Sequence, residues 1–289
     1  MKKTVFLPIV LLFFLFACKS TGNAGLNRMI AGADAELAAR LGQVNSGLKA
    51  FAEAKKAVDD LTPKDEYYLG RAVAANIAGR YPLYDDPDLQ IYLSKICAAI
   101  VINSPKPDIY NGYHVAILDT DEINAFATPG GHIFVTLGLV ACASSEDALA
   151  AVLAHSVASI QLKHGIASIR HDRYTNAAVT AALAASNDAR TNELKAMASE
   201  LFSTIVETKY SQNQILEADI TALSLLASAG YQPSGLLEIF RSMKQQSNQN
   251  TQPSLDSRIA NVNKNLNKYT VADTRSFREN RFSAVPRQN

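Results

Sequence analysis

Residues 124–136 read Asn-Ala-Phe-Ala-Thr-Pro-Gly-Gly-His-Ile-Phe-Val-Thr, and residues 145–159 read Ser-Glu-Asp-Ala-Leu-Ala-Ala-Val-Leu-Ala-His-Ser-Val-Ala-Ser. In the first stretch two short apolar runs, Ala125–Ala127 and His132–Thr136, flank Thr128-Pro129-Gly130-Gly131. Proline and glycine together punctuate the chain, so the pattern predicts strand, turn, strand. The second stretch is an unbroken Ala- and Leu-rich run. Ser144 with Asp147 three residues on predicts a capped start, and the helix runs through Leu162. Residues 113–118, Tyr-His-Val-Ala-Ile-Leu, predict a further strand.

Working outward, Thr62-Pro63-Lys64-Asp65 is a helix start: Thr62 caps, Pro63 fits the first turn and Asp65 completes a capping box. That helix reaches about Arg80. Asp86-Pro87 repeats the device and opens a helix through Val101. Ser104–Pro107 is a loop. A polar, Ala-rich stretch from Thr175 to Ser199 predicts helix, as do residues 200–229 and 233–246, with Gly230 as the stop of the first. Gln245 to Gln252 is polar, and Arg258 to Asn267 predicts a short helix. The segment from Thr274 carries Arg275, Arg278, Arg281 and Arg287 and reads as a solvated tail. Ala31 to Asp60 predicts one long helix. The fold class is therefore mostly α with a small β-sheet, an α+β arrangement. One domain over residues 60–270 follows a tether and N-terminal helix at 18–59 and precedes a polar tail at 271–289.

Composition narrows the function. Of 289 residues, 48% are hydrophobic and 19% charged, the balance of a globular chain. With 28 Lys+Arg against 27 Asp+Glu, the formal charge of +1 excludes the strongly basic balance that nucleic-acid binding favours. Three cysteines are too few for a disulfide scaffold. Met1-Lys2-Lys3 precedes the apolar run Thr4–Ala17, too short for a spanning helix of about 20 residues. Residues 1–17 thus read as an export signal. Its end, Leu15-Phe16-Ala17-Cys18, resembles the bacterial lipobox, which implies that Cys18 carries lipid and becomes the first residue. A chance cysteine behind an ordinary signal is the rival reading. A lipidated Cys18 makes the membrane a partner through an anchor, not a span. Lys19 is not the aspartate that retains enterobacterial lipoproteins at the inner membrane. The expected place is the bacterial cell envelope, facing the periplasm, at the outer membrane rather than the inner. For Cys97 and Cys142 a disulfide and two buried free thiols both stand.

The stretch Asn124–Thr136 closely resembles the strand–turn–strand that precedes the active-site helix of the HtpX/BepA-type (Ste-type) HExxH zinc metallopeptidases. The similarity continues through Ser145–His155 and resumes at Tyr210-Ser211, at Glu217-Ala218-Asp219 and at Ala227–Tyr231. It ends near Pro253–Ile259, and Tyr67–Tyr84 is similar to the family's entry helix. The resemblance implies a zincin-like metallopeptidase fold, endopeptidase activity of the periplasmic quality-control type and zinc as cofactor. It also implies a strand edge, here Asn124, Ala125, Phe126 and Ala127, that pairs with extended peptide.

The family's chemistry needs HExxH. Histidines at i and i+4 share a helix face and reach one zinc, and the Glu is the general base for zinc-bound water. A third ligand, a Glu, lies four residues before the Asp of the later motif. At those positions this chain has His155, Ser159 and Ile215, with Ser156 in place of the base. Glu217 lies about 160° around the helix from position 215 and is no simple substitute. Some members have a His before the Pro of the last motif; here it is Gln252. Catalytic zinc takes three protein ligands, and one remains. The residues therefore predict no bound metal, no catalytic residue and no cofactor, the old metal pocket having closed into core or become an apolar cleft.

For His155 the expected role is that of a buried histidine whose ring Ser159 fixes at i+4. His164 is about 180° from it around the helix, while His114, His132 and His171 read as surface residues. A Ser156 or Ser159 nucleophile fails on geometry: Ser156 points away from His155, and a mid-helix serine has no oxyanion donors beside it. The expected function is a peptide- or protein-binding pseudopeptidase acting on envelope proteins or unfolded polypeptide. An active zinc endopeptidase with non-standard ligands and a purely structural envelope lipoprotein are the alternatives. The edge at 124–127 is either open or covered by residues 172–208.

Overall fold

Thr62 caps a helix as its sequence predicts. In the computed structural model, which describes residues 61–175, 189–208, 210–246 and 254–284, its hydroxyl accepts from Asp65 N at 3.2 Å. The Asp65 carboxylate accepts from Thr62 N at 3.0 Å. This capping box opens α1 (Pro63–Arg80). Asp86 accepts from Leu89 N and opens α2 (Pro87–Ile102). Cys18, the signal segment, the tether and the helix expected over 31–60 lie outside the described residues, as does 176–188 of the expected Ala-rich helix. Among the described residues no helix is long and apolar enough to cross a membrane.

Three strands follow: β1 (His114–Leu118), β2 (Ala125–Ala127) and β3 (His132–Thr136). The order is β1-β3-β2, with β1 parallel to β3 and β2 antiparallel to it through Phe126↔Phe134. Between β2 and β3, Pro129–Gly131 makes one 3₁₀ turn. Here α1 crosses at close range: a Cβ on Gly70 would stand 1.6 Å from Pro129 O. Gly130, at φ 70°, faces Tyr67 in the same way. Any side chain at Gly70 would have to push helix and turn apart.

After the short α3 (Leu137–Cys142), α4 (Glu146–Gln161) runs through the core of the described residues. Fourteen of its sixteen residues are buried. A helix apolar on all sides is one surrounded by others. Its neighbours are α2, α7 (Gln212–Ser228), α8 (Gly235–Gln246) and the sheet. Its alanines let those helices approach closely. Cys97 and Cys142 are both buried and free, and burial pushes the Cys97 thiol up to about 12.

Several boundaries differ from expectation. The cap of α4 is Ser145, not Ser144: its hydroxyl accepts from Ala148 N at 3.1 Å. Asp147 is drawn away to accept from Gln232 N at 2.8 Å. A helix α5 (His164–Thr175) starts after Lys163, whose φ of 58° breaks the run. Residues 200–229 are not one helix. The helix α6 (Ala189–Ser203) loosens into a π-turn at Thr204–Thr208, and Ser211 with Gln214 forms a new capping box for α7. Ser254 caps α9 (Leu255–Leu266), three residues before the expected start, by accepting from Ser257 N at 3.2 Å.

The largest correction concerns the polar tail. Residues Arg275–Ser283 form a helix, α10, rather than solvated chain. Phe282 and Arg278 are buried, Arg278 Nε lies 3.0 Å from Asp147 Oδ1, and Arg281 pairs with Glu146. The arginines are there because the N-terminus of α4 buries two carboxylates.

Candidate functional site

A cleft of about 170 Å³ opens between β2 and the middle of α4. Residues 123–127 form one wall. His155, Ser156 and Ser159 form the floor, and Ile205, Ile215, Ile239, Phe240 and Met243 close the helical side. The structure thus brings together His155, Ser156, Ser159, Ile215 and residues 124–127, whereas Cys18 and Gln252 lie outside the described residues. The lining of this cleft is largely apolar.

The imidazole of His155 is not held by Ser159. Its Nδ1 lies 2.8 Å from Asp219 Oδ1, on α7. The Ser159 hydroxyl instead donates to the His155 carbonyl oxygen at 3.0 Å, because a helical serine reaches the i−4 carbonyl more readily than a side chain tip. Ser156 does the same to Val152 O at 3.0 Å. Asp219 is fully buried and is also gripped by Arg258, whose Nε donates to Oδ2 at 2.9 Å and whose Nη2 donates at 2.6 Å to Oδ1, the oxygen that meets His155. The Arg258 guanidinium also lies over the Phe240 ring, 4.2 Å from its centre. Burial alone would raise the Asp219 carboxyl, but Arg258 and His155 outweigh it and hold the group below the usual carboxylate range.

That depression has a sign. A carboxyl whose folded pKa lies below its unfolded value near about 3.9 stabilises the fold above that pH. The contribution is lost as pH falls through the lowered folded value. Asp219→Asn should therefore flatten the acid limb of a plot of urea midpoint against pH, below about pH 4. Parallel wild-type and variant curves in that window would contradict this account.

The arrangement does not fit zinc. One imidazole is present. Both serine hydroxyls are committed to backbone carbonyls, and the third position is the hydrocarbon of Ile215. Glu217 turns the other way and meets His164 Nε2 at 3.1 Å. Among the described residues no three His, Cys, Asp or Glu side chains converge. What does persist is the supporting shell, since a carboxylate on the second nitrogen of a histidine is how metal-ligating imidazoles are oriented.

Other histidines depart from expectation as well. His164 is buried, not merely off-axis, and burial lowers its pKa more than Glu217 raises it. His132 is half-buried against Tyr67 and His114 rather than on the surface, with ring centres 5.3 Å and 5.6 Å away. Sequence reasoning missed Arg258 and the role of Asp219, although both stand inside the motifs it quoted.

The two edges of the sheet differ. On β1 the outer side is taken by other chain: Tyr84 N donates to Ile117 O at 2.9 Å, Asp119 N to Pro82 O at 2.8 Å, and Gln90 Nε2 to Val115 O. On β2, Thr128 N→His132 O and Thr136 N→Asn124 O show that residues 124 and 128 face β3, so Ala125 and Ala127 face outward. Ala125 N donates to Asn124 Oδ1 at 2.9 Å, and Ala127 O accepts from the Tyr210 hydroxyl at 3.2 Å. No other described strand pairs on that side.

Comparison with known proteins follows the same lines. A profile of peptidase family M48 matches residues 85–266. The beta-barrel assembly-enhancing protease of Escherichia coli (strain K12) is 26% identical over 195 residues, which is 65% of this chain and 39% of that one. The mitochondrial metalloendopeptidase OMA1 of Schizosaccharomyces pombe is 30% identical over 153 residues, 53% of this chain and 43% of its own. The metalloprotease YcaL of Escherichia coli (strain K12) is 25% identical over 138 residues, 48% of this chain and 54% of its own. The match thus spans about two fifths of the length of the assembly-enhancing protease.

Proposed function

This chain belongs to peptidase family M48, and we propose that within it the chain is a pseudopeptidase that holds extended polypeptide without cleaving it. The observation that carries this is the cleft floor. Ser156 and Ser159 spend their hydroxyl protons on carbonyls of their own helix, and Ile215 fills the third ligand position. Without a carboxylate where water must be deprotonated, general-base help worth about 10²–10⁴-fold is absent as well. The peptide-holding part is supported by the sheet: β1 is covered along its outer side, whereas β2 faces the cleft and pairs with no other described strand, although Ala125 N and Ala127 O already have partners and the turn at Thr204–Thr208 packs against it. Strand addition needs only outward backbone groups and side-chain pockets.

Cys18, in its lipobox-like setting, would anchor the chain to the outer membrane, periplasm-facing, where envelope proteins or unfolded polypeptide are the partners. Acyl labelling of the wild type and its absence in Cys18→Ala test the anchor.

The chemistry is tested by metal analysis and digestion. Purified protein dialysed against zinc should retain far less than one ion per chain, and casein should survive it. Stoichiometric zinc, with chelator-sensitive casein cleavage lost in His155→Ala, would restore the enzyme reading. The edge is tested by Ala127→Pro, which removes an outward N–H without touching the β3 ladder. Capture of reduced, unfolded casein should fall in that variant. Unchanged capture would place the polypeptide elsewhere.

A further inference from the structure

We propose that the former metal pocket is an anchor socket for one large, neutral, apolar side chain (Phe, Leu or Met) of an extended polypeptide paired on β2. The inference rests on the reading of this cleft as a peptide site and adds what the site selects.

Size is the first argument. The space is about 170 Å³, and an apolar cavity of about 150 Å³ is enough to take up benzene. A phenylalanine ring or leucine side chain fits that space, whereas alanine leaves most of it empty. Position is the second. Ala125, Phe126 and Ala127 line the same cavity that Ile215 and Ser156 line. A strand laid on β2 directs alternate side chains to one face, and that face of the added strand lies over α4.

Charge is the third argument. The ionic groups at the cleft are Asp219 and Arg258, and they neutralise each other at 2.6 and 2.9 Å. An incoming lysine or glutamate would leave water and find no free counterion. His155 Nδ1 is tied to Asp219, so the ring offers the cleft only Nε2. Ile215 puts hydrocarbon into the cleft wall at the position where the family's third ligand would stand.

The test is a fluorescence-anisotropy titration of the full chain with labelled nine-residue Thr/Val peptides that differ only at the central residue. The set is Phe, Leu, Ala, Lys and Glu. Phe and Leu peptides should bind about 10–100-fold more tightly than Ala, and Lys and Glu peptides no better than Ala. Ile215→Phe, which fills the socket, should abolish the preference for Phe and Leu over Ala. The wild-type series needs no variant, so misfolding of Ile215→Phe cannot obscure it. Equal affinity for all five peptides, weakened by Ala127→Pro, would overturn the socket but keep the peptide edge. Binding of none of them would overturn the peptide reading itself, and tighter binding of Lys or Glu would overturn the neutral selection.

Discussion

Arg278→Ala should cost the protein about 3–5 kcal/mol, the usual penalty for stripping a buried charge of its partner. Arg278 and Asp147 are 6% and 2% exposed, with Nε 3.0 Å from Oδ1. The contact is ionic rather than an aligned hydrogen bond, since Nε has no hydrogen-bond partner. Nη1 meanwhile donates to Gly230 O and to the Thr274 hydroxyl. One side chain therefore ties the C-terminal helix, the turn after α7 and the first turn of α4. Burial raises the Asp147 carboxyl despite the pull of Gln232 N and Arg278. A carboxyl raised above its unfolded value stabilises the fold below that value and loses the benefit as pH rises through the folded one. The deficit of Arg278→Ala should accordingly shrink on acidification, as the stranded Asp147 takes up a proton. Arg278→Met with Asp147→Leu should recover much of the loss, because two apolar groups of similar volume leave no orphan charge. Urea unfolding of the four corners of this cycle measures it. A single-variant loss within about 0.5 kcal/mol, typical of surface changes, would mean that α10 is a dispensable tail after all.

How far the sequence reaches can be judged at particular residues. Thr62-Pro63, Asp86-Pro87 and Pro129-Gly130-Gly131 were legible because capping and turn formation are local: a few consecutive residues carry the whole signal. The three strands were legible for the same reason, being short apolar runs between turn residues. Ser211 and Gln214 carry an equally local capping box, masked in the sequence because the apolar residues on either side read as one continuous helix. The C-terminal helix was different in kind. Arg278 and Arg281 read as solvated because nothing within ten residues of them is acidic except Asp273 and Glu279. Their buried partners Glu146 and Asp147 lie more than 130 residues earlier in the chain. The same limit hid the His155–Asp219–Arg258 chain, which joins three helices. At the site, the sequence showed which donor atoms are missing, because ligand chemistry is a property of single residues. It did not show what the remaining imidazole leans on.

That supporting shell makes a restoration experiment informative. Ser156→Glu, Ser159→His and Ile215→Glu together should give a chain that holds one zinc ion, with the wild type measured beside it. The geometry favours it. Positions 155 and 159 are one helical turn apart on α4, and position 215 lines the same cavity from α7. The His155 ring is already oriented by Asp219 through Nδ1, leaving Nε2 as the ligating nitrogen. Contacts of this kind, which orient a ligating imidazole, are worth about 10–100-fold in metal affinity and need not be built. A full ligand set for structural zinc is worth roughly 10–16 kcal/mol at neutral pH, so even a site far below that ideal would be detected. Thermal unfolding should become zinc-dependent, with about 2.7 kcal/mol of added stability at a hundredfold excess over the dissociation constant. Ser159→His with Ile215→Glu alone should bind zinc without cleaving casein, because position 156 supplies the base and not a ligand. Adding Ser156→Glu should bring chelator-sensitive cleavage, and His155→Ala should abolish both. If the triple variant folds and still takes up no zinc, α4 and α7 no longer stand where a metal site needs them. The cleft would then owe its shape to something other than lost peptidase chemistry, and the pseudopeptidase reading would lose its foundation.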